Sequence, residues 1–591
     1  MNHNLSFFAV LLGLSYLNPI TGQEQTSQVC AYQELPNPTA PSAQAWQRLK
    51  TTQVGWGSTD VRYKKEAPAT NNIKNITLKA WRGERVQAQF TVSAPNGMEN
   101  LHFEVGELRN TRNSQLAISE DAIHSGFVRY VMTDELNKDG QGGCGLRPNA
   151  AEYDSSLVAD PIDHLTRSLP LAPQTTQGVW VRVAVPEATT PGTYQGKIRV
   201  SDGESQLSEL TLTLEVSNRV LPPAKEWAFH LDLWQNPFAE ARVYGVEPWS
   251  DEHLNAMRPD MELYAQAGGK SITTSIMHKP WNGQTYDYFE SMITWMKRAD
   301  GTWYYDYTVF DKWVEYMMGL GVNKEITCYS LIPWHLSFQY YDQATNSFKQ
   351  LQTKPGEPAF EQHWLGMLTN FAAHLKQKGW FDITHISMDE RPMEAMQHTL
   401  KVIRKADPDF KISMAGDYHP ELEADLDNYC VSFRYKLDRD MIQKRKDENK
   451  VTTYYTSCTE ALPNTFSFSE PAEAEWLGWR AAKENLDGYL RWALNSWVKS
   501  PLQDTRFTSW AAGDTYLIYP GARTSVRFER LTAGIQAYEK IRILRDEFTR
   551  KRDKASLRKI DKMLERFNEE QLKIESATEA VAKANRILNS F

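Results

Sequence analysis

Two adjacent carboxylates are the residues in this sequence best placed to do chemistry. Asp389 and Glu390 follow the apolar segment Ile383–Met388 and precede Pro392, a residue suited to the first turn of a helix. Because a strand that ends no longer forces neighbouring side chains onto opposite faces, both acids can turn into one pocket. Such a pair suits general acid–base chemistry. The structural alternative is that the acids satisfy the free N–H groups at the start of the next helix.

Polar and aromatic residues recur at the ends of the other predicted strands. Any one of them would ordinarily be a packing residue, but the ends of parallel strands in a barrel meet in one mouth. Acids combined with aromatic rings favour glycoside hydrolysis, in which carboxylates handle protons and rings hold sugar. No metal-binding or nucleotide-binding motif occurs, so we predict neither a metal nor a cofactor. The predicted substrate-binding residues are His278, Trp334, Asp417, Tyr418, Arg434, Tyr454, Tyr455, Trp492, Asn495 and Trp497.

Short apolar runs that alternate with helical patterns must position these residues. This rhythm is typical of βα units and predicts a TIM-like (β/α)8 barrel over residues 226–522. The eight predicted strands are Trp227–Trp234, Ser271–Met277, Glu325–Ile332, Ile383–Met388, Lys411–Ala415, Tyr429–Phe433, Thr452–Thr456 and Gly488–Leu494.

A different pattern precedes the barrel. From about residue 70 to 217 apolar residues alternate with polar ones, as in Val86, Ala88, Phe90 and Val92, which predicts an antiparallel β-sandwich over residues 23–220. A linker containing Pro222-Pro223 ends it. Residues 523–591 are predicted to form helices that pack on the barrel, because an apolar stripe runs along a charged helical pattern there. The fold class is therefore multidomain, all-β followed by α/β.

Composition and the first residues bear on location and partners. The net charge is −8 and no block of Lys or Arg occurs, which argues against nucleic acid or an anionic membrane as a partner. The apolar run Leu5–Leu17 is too short to span a bilayer and predicts a signal peptide over residues 1–22, hence export to the periplasm, the medium or the cell surface. No later stretch predicts a transmembrane segment. Among the five cysteines, Cys30 and Cys144 form the pair most easily placed in one domain.

Four stretches together resemble glycoside hydrolase family 123. They are Met388–Pro392, Trp492–Trp497, Gly513–Gly521 and Ser525–Leu531, within the same order of sandwich, barrel and helical tail. The resemblance covers nearly all of the predicted mature chain. It implies an exo-acting, retaining β-N-acetylgalactosaminidase that removes terminal β-GalNAc from glycosphingolipid-type glycans, with the 2-acetamido group of the substrate as nucleophile.

The resemblance also implies roles for individual residues. Glu390 would protonate the leaving oxygen and then deprotonate water, and Asp389 would accept a hydrogen bond from the acetamido N–H. Trp492 and Trp497 would wall the pocket, and Asn495 would bond a hydroxyl. Either Tyr454 or Tyr455 would hold the acetamido carbonyl.

Two other interpretations remain open from sequence. A retaining glycosidase with a protein nucleophile would need a second acid across the pocket, and Glu460 is the obvious candidate. A glycan-binding surface protein would keep the aromatic residues and use the acids as helix caps. Selectivity between GalNAc and GlcNAc and the oligomeric state are not fixed by the sequence.

Overall fold

A computed structural model describes residues 32–136, 144, 145, 147, 149 and 153–591. The predicted signal peptide and Cys30 lie outside the described residues. Every helix in the described part of the chain is too short or too polar to cross a lipid bilayer.

The N-terminal part is the predicted sandwich. Its two sheets bury alternate side chains against each other, including Trp56, Phe90 and Leu212. The order in the first sheet is β1 (Gln53–Gly57), β3 (Arg85–Ala94), β10 (Thr175–Ala184), β7 (Ile123–Thr133), β8 (Ser156–Asp163) and β25 (Thr524–Ser525). The order in the second is β2 (Asn75–Arg82), β12 (Ser205–Val220), β11 (Gly192–Asp202), β4 (Met98–Val105) and β9 (Leu169–Leu171). In addition, β5 (Leu108–Asn110) pairs with β11, and β6 (Ala117–Ile118) pairs with β5.

The central part is a nearly closed barrel of eight parallel strands, as predicted. The first and second strands approach each other at the bridge between Leu231 and Gly269, which brings the two edges of the sheet together. In chain order the strands are β13 (His230–Leu233), β14 (Ser271–Ser275), β17 (Glu325–Tyr329), β20 (Thr384–Met388), β21 (Lys411–Gly416), β22 (Asn428–Ser432), β23 (Val451–Tyr455) and β24 (Gly488–Arg491).

Helices cover the outside of the barrel and continue into the tail. Several begin with proline in the first turn, where its missing N–H costs nothing. The helices are α1 (Ala43–Trp46), α2 (Pro237–Tyr244), α3 (Asp251–Gln266), α4 (Thr308–Gly319), α5 (Pro358–Lys378), α6 (Met393–Ala406), α7 (Arg439–Asp447), α8 (Pro471–Glu484), α9 (Val526–Lys551), α10 (Lys554–Leu564), α11 (Glu569–Leu572) and α12 (Ala577–Leu588).

The tail packs on the barrel through the predicted apolar stripe. Ile560, Met563 and Leu564 on α10 are buried, and the ring of Phe567 stacks on Trp479 of α8 with centroids 5.0 Å apart. Burial of these side chains supplies the hydrophobic free energy that a charged helix lacks by itself.

A small sheet not predicted from the sequence projects from the barrel. The segments that follow β14 and β17 pair with each other in the order β16 (Trp303–Asp306), β15 (Thr294–Lys297), β18 (Ser337–Asp342) and β19 (Ser347–Gln352). One of its faces packs on α5, where the ring of Trp295 lies 4.5 Å from that of His363. Both segments leave the carboxyl ends of their strands, the end at which barrel active sites form.

Buried ion pairs join the sandwich to the barrel and to α9. Asp160 on β8 has no exposed surface, and its carboxylate accepts hydrogen bonds from Arg527 at 2.9 Å, Arg62 at 3.0 Å and the Tyr519 hydroxyl at 2.6 Å. Burial by itself raises the pKa of Asp160, but Arg527 and Arg62 outweigh it and hold that pKa below its usual value.

Candidate active site

The paired carboxylates stand at the end of β20 and do not cap the helix that follows. All five residues of β20 are buried, so the strand fixes the position at which the chain emerges from the barrel. Helix α6 begins only at Met393, its cap residue is Pro392, and no side chain bonds to its first N–H groups. The structural alternative weighed from the sequence is therefore wrong for Asp389 and Glu390.

Asp389 is enclosed by polar partners. The residue is 7% exposed, its Oδ2 accepts a hydrogen bond of 3.1 Å from the indole N–H of Trp334, and its Oδ1 lies 3.0 Å from the Arg391 guanidinium. That guanidinium also stacks on the ring of Trp334, 4.1 Å from its centroid. Burial raises the pKa of Asp389 to about 6, while Arg391 and Trp334 limit the rise. The carboxylate is therefore ionised at neutral pH and held in one orientation.

Glu390 has a different environment from its neighbour. Its side chain is exposed, and its Oε1 accepts a short hydrogen bond from the hydroxyl of Tyr455 on β23. Burial raises the pKa of Tyr455, and the adjacent Glu390 raises it further, so the phenol stays protonated and remains a donor. The exposed acid can reach a leaving group and water, whereas the enclosed Asp389 cannot exchange protons with solvent as freely.

Tryptophan rings form much of the wall around the acids. Trp234, at the end of the first barrel strand, stacks on Trp281 with centroids 4.8 Å apart, and Tyr329 packs against both. Trp492 and Trp510 also line the cavity, and their rings pack edge-on with centroids 5.6 Å apart. The cavity between the rings measures about 320 Å³ and contains both acids. This is the lower end of the range for ligand pockets, which suits one sugar ring better than an enclosed chain.

A disulfide from the sandwich domain completes the wall. Cys144 lies in the connection between β7 and β8, and it is bonded to Cys458 in the loop that follows β23. Both cysteines line the cavity, and Cys144 also forms a backbone bridge to Trp510. The sequence left the disulfide pairing open, and Cys30, the cysteine most easily placed in one domain with Cys144, is not its partner. Membership of one domain did not decide the partner, because Cys144 itself lies against the cavity that contains Asp389 and Glu390.

Indole N–H groups in the wall lie near the carboxylates of the pocket. Burial raises the pKa of Asp389, and Trp281 adds to the groups that limit this rise. Asp514 is paired through Oδ1 with Arg491, and Arg491 and Trp492 likewise limit the rise that burial causes in its pKa. Within the described residues, no group of three or more His, Cys, Asp or Glu side chains is arranged to hold a metal ion.

Family models account for most of the chain. The model of the glycoside hydrolase 123 catalytic domain matches residues 234–544, and the model of the glycoside hydrolase 123 N-terminal domain matches residues 56–202. The chain belongs to glycoside hydrolase family 123. The resemblance noted in the sequence is thereby confirmed, together with the fold class.

A solved structure agrees with the family assignment. A family 123 glycoside hydrolase from Clostridium perfringens, described in work on glycolipid glycan hydrolysis, is 26% identical, with a TM-score of 0.81 over 91% of this chain and 98% of that one. A family 39 glycoside hydrolase from Bacteroides cellulosilyticus is 11% identical, with a TM-score of 0.33 over 78% of this chain and 81% of that one. Among curated proteins, no sequence matches the chain.

In this family 123 enzyme, the structure brings together part of the predicted site. The cavity is lined by Asp389, Glu390, Trp334, Tyr455 and Trp492. Four further predicted residues stand after barrel strands but outside the cavity lining. His278 bonds to Glu290 at 2.6 Å, Arg434 is paired with Asp417 at 2.5 Å, and Tyr418 stacks on Tyr429.

Three predicted residues lie in the interior away from the pocket. The Tyr454 hydroxyl donates to the carbonyl of Leu477, and the Trp497 indole donates to the carbonyl of Ile518, so both are packing residues. Asn495 accepts from the backbone N–H of Asn236 and donates to Glu240, which ties the eighth strand end to the first. Their assignment to substrate binding is not supported by this arrangement.

Sequence reasoning missed five residues that line or hold the site. Arg391 belongs to the stretch Met388–Pro392 and Asp514 to the stretch Gly513–Gly521, but neither was assigned a role from the sequence. Trp234 ends a predicted strand and Trp281 follows another, so the position at a strand end that identified Asp389 and Glu390 could also have identified these two residues. Trp510 lies in a loop, and nothing in its local sequence distinguishes it.

Proposed function

We propose that this family 123 enzyme is an exo-acting, retaining β-N-acetylgalactosaminidase that uses the 2-acetamido group of its substrate as nucleophile. One observation carries the proposal, namely the unequal environments of two adjacent acids. Asp389 is enclosed and can orient the acetamido group of the substrate, whereas Glu390 is exposed and can transfer a proton. Adjacent acids suit neighbouring atoms of one sugar, because the acetamido group is on C2 and the leaving oxygen on C1.

The first step would break the glycosidic bond. The acetamido oxygen attacks C1, the bond from C1 to the leaving oxygen breaks, and Glu390 gives its proton to that oxygen. Positive charge develops on the acetamido nitrogen, and the Asp389 carboxylate accepts the N–H hydrogen bond and stabilises it. The product of this step is an oxazolinium ion and the free alcohol of the leaving group.

The second step would release the sugar. Glu390, now a carboxylate, takes a proton from water while the water oxygen bonds to C1 and the ring bond from C1 to the acetamido oxygen breaks. Two inversions at C1 give net retention, and Glu390 ends protonated as it began. The hydrogen bond from Tyr455 steadies Glu390 during both proton transfers.

The position of Glu460 supports this scheme over a protein nucleophile. Its Oε2 accepts from the backbone N–H of Ser457 at 2.8 Å, and the residue is not part of the cavity lining. A nucleophile would have to face C1 across the pocket from Glu390. Glu460 instead shapes the loop that carries Cys458.

The site of action is a further proposal. We infer that the enzyme works outside the cytoplasm, on terminal β-GalNAc of glycolipid-type glycans. The Cys144–Cys458 disulfide supports export, because structural disulfides persist in oxidising compartments. The glycolipid substrate is supported by the Clostridium perfringens relative, whose description concerns glycolipid glycan hydrolysis.

Hydrolysis of p-nitrophenyl glycosides tests the proposal. We expect release from the β-GalNAc substrate and none from the β-galactoside, which lacks the acetamido group. Glu390→Gln should lower kcat by about 100-fold to 10,000-fold, the usual contribution of general acid–base catalysis. The matched variant Glu460→Gln should keep wild-type turnover. Equal hydrolysis of the β-galactoside, or loss of turnover in Glu460→Gln, would refute substrate assistance.

A further inference from the structure

The strand register of the small sheet separates its side chains into two faces. Trp295, Phe338 and Tyr340 point inward and pack against Trp303 or the helix α5. Because side chains alternate along a strand and paired residues share a face, the residues between them point outward. We call these residues the outer face: Ser337, Gln339, Tyr341, Phe348, Gln350 and Gln352.

Planar amides in a hydrogen-bonded row occupy one half of the outer face. Gln352 donates to the Ser337 hydroxyl at 2.7 Å, that hydroxyl donates to Gln350 at 2.9 Å, and Gln350 donates to Gln339 at 2.9 Å. The three amides are at least partly exposed. Each has at least one N–H group and one lone pair that the row does not use, so the surface offers both donors and acceptors of hydrogen bonds.

Aromatic rings occupy the other half of the outer face. Phe348 is 69% exposed, and its ring meets Tyr341 edge-on at 5.6 Å. Exposed aromatic side chains are concentrated in this part of the molecule. In the described part of the chain, those exposed by more than a third all lie in the segments that follow β14 and β17, and they are Tyr286, Tyr288, Tyr304, Trp334 and Phe348. Two of these rings bear on the outer face: Phe348 belongs to it, and Trp334 lines the cavity beside Asp389.

The first residue of the outer face follows a residue of the pocket closely along the chain. Trp334 donates to Asp389 in the cavity and is itself 47% exposed at the rim, and β18 begins three residues later at Ser337. From there the strand runs six residues, a length of about 17 Å at the usual rise of a strand. A chain of sugars whose terminal unit fills the pocket can extend along this distance.

We propose that the outer face binds the leaving-group side of the oligosaccharide substrate, the neutral sugars next to the terminal residue. This rests on the proposed function. The six residues are uncharged, so they have no attraction for an anionic lipid surface or a nucleic acid. Amides that donate and accept, beside rings with apolar faces, match the hydroxyl groups and C–H faces of neutral pyranoses.

The test compares a substrate that fills only the pocket with one that reaches the sheet. We would measure kcat/KM for p-nitrophenyl β-GalNAc and for a soluble neutral tetrasaccharide with terminal β-GalNAc, using wild type, Phe348→Ala and Gln350→Ala. The control is Ile574→Ala, which removes an apolar side chain that is 80% exposed near the C terminus. The same tetrasaccharide as a glycolipid in neutral vesicles forms a third substrate.

The expected result is selective. Phe348→Ala and Gln350→Ala should lower kcat/KM for the tetrasaccharide by about threefold to tenfold, mainly through KM, since one ring contact contributes that much. Their values for p-nitrophenyl β-GalNAc should stay at wild type, as should all values for Ile574→Ala. Equal effects on both soluble substrates, or an effect on the vesicle substrate alone, would overturn the proposal.

A failure of the proposed function gives a different result. If the protein does not act on terminal β-GalNAc, wild type hydrolyses neither soluble substrate. In that event, the dissociation constant of the tetrasaccharide, measured by calorimetry, tests whether the outer face binds sugar. If the proposal holds, Phe348→Ala must still weaken binding about threefold or more.

Discussion

At the residue scale, Arg391 and Trp334 distinguish Asp389 from Glu390 as much as the position of the two acids does. Trp334 and Arg391 each contact a different oxygen of Asp389, and they stack on each other. An acid held in this way keeps one orientation and resists protonation down to a lower pH than burial alone would permit. Among the residues that the structure describes, the side chain that bonds to the Glu390 carboxyl is Tyr455, through its hydroxyl.

The pKa of Asp389 predicts the acid limit of activity, the pH below which kcat/KM falls. A carboxylate is needed to stabilise the positive acetamido nitrogen, so kcat/KM should fall as pH drops through about 6. Arg391 lowers this pKa, and Arg391→Gln should therefore move the acid limit to higher pH. The measurement is the pH dependence of kcat/KM for p-nitrophenyl β-GalNAc. An acid limit that stays in place in Arg391→Gln would show that another group controls it.

At the element scale, β23 provides a matched pair of tyrosines on opposite faces. Tyr455 faces the pocket and donates to Glu390, whereas Tyr454 faces the surrounding helices and donates to Leu477. Tyr455→Phe should lower kcat/KM by about tenfold to 100-fold, the value of a hydrogen bond to a charged group. Tyr454→Phe should leave kcat/KM unchanged and reduce stability by about 1 kcal/mol. Steady-state kinetics and thermal unfolding of both variants check this, and reversed effects would contradict the assignment.

The same strand shows what could be read from the sequence. The eight barrel strands were predictable because each is a short apolar run before a helix, and the ends of such strands identified Asp389 and Glu390. Which of Tyr454 and Tyr455 faces inward was not predictable, since a shift of one residue in a strand exchanges its faces. The small sheet was missed because its strands come from two separated insertions that are too short to show a clear period.

The disulfide is the element that joins the sandwich to the catalytic loop. Cys144 and Cys458 are 314 residues apart, and the bond between them fixes the loop after Tyr455 as well as the position of Trp510. Cys144→Ser with Cys458→Ser should cost about 2–4 kcal/mol of stability and raise KM. Differential scanning calorimetry and kinetics measure both. An unchanged KM would show that the wall of the pocket does not need the bridge.

At the scale of the whole molecule, the buried ion pairs make the sandwich part of the catalytic unit. Asp160 of the sandwich carries hydrogen bonds from Arg527 on α9 and from Tyr519, which follows the barrel strands. Asp160→Asn leaves two buried guanidinium groups without their counter-ion, and such a loss typically costs about 3–5 kcal/mol.

The expected result is a lower midpoint of a single thermal transition. The pH dependence has a definite sign. Because the folded pKa of Asp160 is lowered, its stabilisation is present above the unfolded value and is lost as pH falls through the folded one. Asp160→Asn should therefore reduce the difference in midpoint between neutral and acidic pH. Two separate transitions in wild type would contradict a joint unit.

The inhibition constant of a thiazoline analogue of GalNAc tests the central claim most directly. The analogue imitates the cyclic intermediate formed by the acetamido group, and mimics of transition states and intermediates bind far more tightly than substrate. We predict competitive inhibition at least about 100-fold tighter than that by GalNAc itself, and loss of most of this advantage in Asp389→Asn. Inhibition no stronger than that by GalNAc would contradict substrate-assisted catalysis.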